Sequence, residues 1–274
     1  MKKFCFLIQA RADDEYFDRF RTEDSDCYIL TFKEEIKKDK YIYAPGSSWS
    51  RGRNLLLKEA YRKEDYEYYV FMDDDTRIIN KSDESCGIEE FKRKLLKHRP
   101  AIGFPDYYWH LNLKASRFKI KYSNSKFSRP IFFDPCVNAF HKDCIRYVLP
   151  YEVKFDDKNW WFSQEIMNHF ARHFLGNSIL QFNNLQTQNL YSSDYPADGG
   201  AWVLNEGYDN WVKWNVKKQE RKENCYYPEN RVLEFKELYT PINELSLSLE
   251  DRFNSVVLDG HFYLANNKAF WEAL

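Results

Sequence analysis

Tyr66-Glu67-Tyr68-Tyr69-Val70-Phe71-Met72-Asp73-Asp74-Asp75-Thr76-Arg77-Ile78 is the stretch on which the reading of this chain turns. From Tyr68 to Met72 it is apolar, aromatic and β-branched, the composition of a buried strand, and three carboxylates follow without a spacer. Like charges a few ångström apart raise one another's pKa unless a cation or a hydrogen-bonding partner neutralises them; a hard divalent ion would do so. Extended geometry sends alternate side chains to opposite faces, which predicts Asp73 and Asp75 on one site and Asp74 turned away. In an open parallel sheet, ligands bind in the crevice beyond the carboxyl ends of the strands, where this triplet would lie. The plainer alternative is a solvated acidic turn.

Upstream, Lys3 to Ala10 reads as a first strand, Asp13 to Arg21 as a short helix with an acidic start, and Cys27 to Phe32 as a second strand. A turn at Pro45-Gly46 leads to a helix predicted over Arg53 to Arg62, with Leu56, Leu57 and Ala60 facing inward. This β-α-β-α-β order predicts an α/β, doubly wound sheet. Downstream, Ile88 to His98 is an amphipathic helix and Ala101 to Pro105 a strand ending at Asp106. Tyr107 to Lys126 has poor periodicity. Ile131 to His141 reads as a strand bent at Pro135, followed by a helix from Lys142 to Val148. A further helix runs to about Phe174, capped by Ser163 or Asn159. Short strands and Gly/Pro turns are predicted for the C-terminal third.

Composition bounds the function classes. The 274 residues suffice for one large α/β domain with an elaborated C-terminal part. With Lys+Arg 41 against Asp+Glu 42 the net charge is -1, which makes a nucleic-acid partner unexpected. Aromatic residues reach 18%, suited to core packing first and sugar stacking second. The cysteines at 5, 27, 86, 136, 144 and 225 show no Cys-x-x-Cys pair and read as reduced intracellular thiols. Phe4 to Ala10 is too short for a secretory signal, and no stretch is long and apolar enough for a transmembrane segment. The expected location is cytoplasmic, in a bacterium or a virus-infected host cell, with room for peripheral contact at a membrane.

A series of motifs then comes together: the first strand ending Gln9-Ala10-Arg11, the Arg53-Asn54 helix, the strand ending Asp73-Asp74-Asp75, and Trp160-Trp161-x-x-Gln164-Glu165. Over roughly Lys2 to Phe174 this resembles a glycosyltransferase of the GT-A fold, with an Asp-x-Asp signature. The resemblance implies a Rossmann-like, mixed but mostly parallel sheet flanked by helices. It implies one domain over 1–274, with 1–105 as the nucleotide-sugar-binding half and 106–274 as the acceptor-binding half. It also implies a nucleotide-sugar donor, UDP- or GDP-linked, Mn²⁺ or Mg²⁺ as cofactor, and a hydroxyl of a glycan or glycoconjugate as acceptor.

The residue assignments follow from that match. Asp75 is expected as direct metal ligand, with Asp73 on the metal, a metal-bound water or the ribose, and Asp74 beside the donor. Octahedral Mg²⁺ or Mn²⁺ keeps waters, so one or two carboxylates suffice. Ala10, Arg11, Arg53 and Asn54 match positions beside the nucleotide, with Arg51 as a neighbour; the alternative for Arg53 is a surface arginine at a helix start. Glu165 is the expected base, although family members often carry Glu-Asp where this chain has Gln164-Glu165. Asp156 and Asp157 are the fallback acids, and a helix-terminal glutamate is the bland alternative. Trp160 and Trp161 fit a sugar platform or the core, and Asp134 and Asn138 fit acceptor contacts or a buried turn. His261 is a possible third metal ligand, more commonly a structural histidine. Lys213, Lys217, Arg221 and Lys222 fit a diphosphate clamp or a solvated helix face.

Three readings compete: a metal-dependent, inverting glycosyltransferase; the same fold acting on a modified base in phage-type DNA; and a non-catalytic metal- or sugar-binding module. Near-neutral charge disfavours the second, since tracking DNA requires a basic groove. Two-metal phosphoryl transfer falls behind, for want of a Gly-rich phosphate loop and a second carboxylate cluster.

Overall fold

The structure, a computed structural model, describes residues 2–107, 126–130, 133–153, 156–157, 160, 163–164, 167–168, 171, 175, 178–190, 239–242, 270–271 and 273–274. Its strands are β1 (Phe4–Ala10), β2 (Ser25–Thr31), β3 (Tyr41–Tyr43), β4 (Tyr68–Asp73), β5 (Thr76–Asn80), β6 (Ile102–Tyr107), β7 (Phe127–Pro130), β8 (Val137–His141), β9 (Ile179–Asn189) and β10 (Tyr239–Ile242). The helices are α1 (Trp49–Lys63), α2 (Ile88–His98) and α3 (Lys142–Val148), with a 3-10 turn over Glu15–Phe20.

The strands form one sheet in the order β10-β7-β9-β6-β8-β4-β1-β2-β3, with β5 paired to β9. β3, β2, β1 and β4 are mutually parallel; β8 then runs against both β4 and β6, and β9 is parallel to β6. This is the mixed, Rossmann-like sheet flanked by helices that the resemblance implied. Among the described residues no helix is long and apolar enough to cross a membrane.

All seven residues of β1 are buried, covered on both faces of the sheet. Phe4, Phe6 and Ile8 join Phe17, Phe20, Ile88, Phe91 and Leu95 on the face covered by the 3-10 turn and α2. Cys5 and Leu7 join Leu56, Leu57, Ala60 and Phe71 on the face covered by α1. The period of two thus splits the chain into two apolar layers, and each fully buried Phe, Leu or Ile contributes roughly 1.5–3 kcal/mol of transfer free energy.

Three expectations are corrected. The strand read over Ile131 to His141 begins only at Val137, because Pro135-Cys136 form a turn before it. The predicted helix from Arg53 begins a turn earlier, because Ser48 is the N-cap and accepts from the Arg51 amide at 3.2 Å. β4 ends at Asp73, and Asp74-Asp75 turn the chain into β5, which the sequence reading lacked. Alternation along a strand therefore does not govern Asp75.

Candidate functional site

The carboxyl ends of β1 and β4 meet the amino end of β8, since Gln9 pairs with Asp73 and Met72 with Val137. The Asp73 amide donates to the Cys136 carbonyl at 3.1 Å, drawing the Asp134–Cys136 turn alongside the acidic triplet. Strand parity puts the Asp73 side chain on the same side as Phe71, toward α1. There Arg53 donates through Nη2 at 2.6 Å and Trp49 through its indole N–H at 3.2 Å, both to Oδ1 of Asp73.

Arg53 lies within α1 and has no exposed surface, so it is neither at the helix start nor a surface arginine. Its guanidinium sits 4.0 Å from the centre of the Trp49 ring, and Nη1 donates to the Pro135 carbonyl at 2.9 Å and the Tyr151 hydroxyl at 3.4 Å. Burial works against its charge, but Asp73 and Tyr151 outweigh that and the pKa is raised overall. Asn54 clamps the Tyr151 backbone, donating to its carbonyl and accepting from its amide at 2.8 Å each. Ala10 is buried in the opposite apolar layer. Arg11, by contrast, keeps 44% of its side chain exposed.

Arg11 binds Asp74 twice, through its amide at 2.9 Å and Nε at 3.2 Å. Asp75 differs from both its neighbours. It is 6% exposed, its backbone carbonyl accepts from the Leu190 amide at 2.8 Å, and among the described residues the cation paired with its carboxyl is Arg11, through Nη2 at 3.9 Å. Burial, then Asp73, then Asp74, push this carboxyl up to about 7. The triplet thus contains one carboxylate tied to a buried arginine, one tied to a surface arginine and one that lacks an adequate counter-charge.

Among the described residues, no group of three or more His, Cys, Asp or Glu forms a ready-made metal cage. Asp73 and Asp75 nonetheless suit an ion that keeps its waters, and a cation beside Asp75 would offset its burial in the ionised form.

Asp134 stands across from Asp73. It retains some solvent access, yet burial, with a further push from Asp73, raises its carboxyl to about 6 against the pull of the Cys136 amide donating at 2.9 Å. Its turn is braced from behind: Asn138 donates to the Asp134 carbonyl at 2.9 Å, and Asn168 to the Phe133 carbonyl at 3.1 Å. Asn138, fully buried, supports the turn rather than facing a ligand. Gln164 approaches the same Phe133 carbonyl at 3.5 Å. Asp156, 8% exposed, accepts from the Ser48 hydroxyl at the head of α1; burial raises its pKa while Ser48 and Ser50 pull it down. Trp160 donates to the Asp156 carbonyl at 3.1 Å, and Asp157 is exposed. Glu165, Trp161, His261 and the run Lys213 to Lys222 lie outside the described residues.

Trp49 and Tyr151 were not singled out from sequence. The one local signal was Trp49 standing four residues before Arg53, one helical turn away.

No family model matches this chain, and no curated protein matches it. Solved structures that resemble it include A197 from STIV (TM-score 0.40, 12% identity, 70% of this chain and 87% of that one). A putative nucleotide-diphospho-sugar transferase from Desulfovibrio desulfuricans G20 gives 0.38 at 11% identity, over 69% of this chain and 83% of that one. TarS 1-349 from S. aureus in complex with UDP-GlcNAc gives 0.44 at 10% identity, over 83% and 68%. All three TM-scores lie below 0.5, so the chain's own residues carry the functional reading.

Proposed function

We propose that this chain is a nucleotide-sugar-dependent glycosyltransferase that moves a sugar to a hydroxyl of a glycan or glycoconjugate where the carboxyl ends of β1 and β4 meet the amino end of β8. The observation that carries the reading is Asp75, a buried carboxyl pushed up to about 7 beside two further aspartates at the end of a central strand. Arg53 and Arg11 balance Asp73 and Asp74, and a cation beside Asp75 would supply the counter-charge that the third carboxylate lacks. We assign Mn²⁺ or Mg²⁺ to Asp75 and Asp73, where it would supply charge balance for a departing nucleoside diphosphate. Arg11, half-exposed just past β1 and paired with Asp74, we assign to the anionic donor. The acceptor we assign to the later part of the chain, residues 106–274, with Asp134 and Trp160 as its described candidates. Glu165 remains the assigned base by the motif resemblance alone.

The test is a thermal-shift screen of UDP-, GDP-, CMP- and dTDP-sugars, each with Mn²⁺, Mg²⁺ or EDTA. A native-state ligand present at a hundred times its Kd stabilises by about 2.7 kcal/mol, a readily visible shift. The expected result is a shift with one nucleotide class that requires the metal and disappears in Asp75→Ala. Equal shifts with and without metal, or an Asp75→Ala variant that responds like the wild type, would remove the metal-dependent donor from the account.

A further inference from the structure

Arg53 makes two kinds of contact from one buried, planar group. Nη2 holds Asp73 at 2.6 Å, and Nη1 holds the carbonyl of Pro135, the residue after Asp134, at 2.9 Å. The guanidinium plane is set by the Trp49 ring beneath it and by the Tyr151 hydroxyl beside Nη1, while Nε is buried without a partner. The two Nη atoms are a rigid fork, so their targets are held at a fixed separation, which a lysine's single point of charge does not reproduce. Trp49 and Arg53 both address Oδ1 of Asp73, on a side chain that keeps 18% of its surface exposed. Both bonds go to Oδ1, and among the described residues Oδ2 takes no hydrogen bond.

We infer that Arg53 is a positioning residue that fixes the metal-side carboxylate Asp73 and the Asp134 turn relative to each other, with Trp49 steadying the first arm and Tyr151 the second. The inference rests on the glycosyltransferase reading above. It deepens that reading by joining the donor half and the acceptor half of the crevice through one side chain that touches neither substrate. The two arms are chemically separate, so they can be loosened one at a time. Trp49→Phe removes one donor from Asp73 and keeps an aromatic face under the guanidinium. Tyr151→Phe removes one partner of the arm that holds Pro135 and leaves Asp73 untouched. A side chain that only stabilised the fold would show no such division.

The experiment measures Mn²⁺ affinity by electron paramagnetic resonance in the presence of UDP or GDP. In parallel it follows hydrolysis of UDP-glucose, UDP-N-acetylglucosamine and GDP-mannose at saturating metal and donor. Trp49→Phe is expected to weaken Mn²⁺ binding roughly tenfold and to leave the saturated hydrolysis rate within about twofold of wild type. Tyr151→Phe is expected to do the reverse, lowering the rate several-fold with Mn²⁺ affinity unchanged. Arg53→Lys, which keeps the charge and loses the fork, should impair both. Trp49→Phe and Tyr151→Phe that change both quantities in parallel, or neither, would overturn the inference whether or not Arg53→Lys folds. A wild-type chain that binds Mn²⁺ with neither nucleotide would overturn the glycosyltransferase reading itself, and this inference with it.

Discussion

At Asp75, burial and the carboxylates of Asp73 and Asp74 push the carboxyl up to about 7, against about 3.9 for an unperturbed aspartate. The folded chain therefore holds this proton more tightly than the unfolded chain. Stability from this group is fully present below about pH 4 and is lost as the pH rises through about 7. Metal-free protein should melt higher at pH 5 than at pH 8, and Asp75→Asn should flatten much of that difference. Thermal melts in EDTA at the two pH values read this directly; an equal fall in both proteins would place the destabilising charge elsewhere. Asp134, raised to about 6, acts in the same direction and sets the slope that remains in the variant. The importance of the triplet was legible in the sequence because carboxylates abutting an apolar strand are conspicuous wherever they occur. The partner of Asp73 was not, because Arg53 meets it from another element and burial leaves no local signature.

At the scale of elements, the head of α1 is where the ends of β1 and β4 and the Asp156 segment converge. Gln9, at the end of β1, lies on the α1 face and donates to the Ser48 carbonyl at 3.2 Å. It fits only because residue 52 has no side chain: a Cβ on Gly52 would come within 2.4 Å of Gln9 Cδ. Gly52→Ala gains about 1 kcal/mol in helix propensity, but displacing Gln9 should cost more, giving a net loss of about 1–2 kcal/mol. Removing the obstacle should reverse the sign. In a double-mutant cycle by urea denaturation, Gln9→Ala/Gly52→Ala should be more stable than the sum of the single changes by about 1 kcal/mol or more. Strict additivity would show that the two residues do not compete for this space. The boundaries of α2 and α3 were read correctly because each combines a run of apolar residues at helical spacing with clear ends. The start of α1 was misplaced because Gly46-Ser47-Ser48 reads as a continuing turn, and the cap is recognisable only by what Ser48 bonds. β5 was missed because Asp74-Asp75 lacks the Gly or Asn that usually marks a tight turn, and its partner β9 lies more than a hundred residues downstream.

Over the whole molecule the parallel half of the sheet was readable from the alternation of strands and helices, whereas β8 was not recognisable as antiparallel. Direction follows from the connection through space, and the run Val137 to His141 looks the same either way. That reversal matters, because it brings the amino end of β8, with Asp134, to the carboxyl end of β4. Long-range closure appears again near the end of the chain. Trp271 packs edge-on against Tyr61 of α1, with ring centres 5.0 Å apart, and donates through its indole to the Leu149 carbonyl at 2.9 Å. Arg62 donates to the Ala273 carbonyl at 2.8 Å, so α1 and the segment after α3 are joined by residues more than a hundred positions away. Trp271→Ala removes a half-buried aromatic, its hydrogen bond and its ring contact together. It should lower unfolding free energy by roughly 2–4 kcal/mol, below the 3–5 kcal/mol of a fully buried aromatic because part of the indole already meets solvent. Urea denaturation checks this through a lower midpoint at unchanged slope. Trp271→Phe, which keeps the ring and loses the N–H, should recover much of the loss. A Trp271→Ala midpoint equal to wild type would mean that these last residues rest on the core without supporting it.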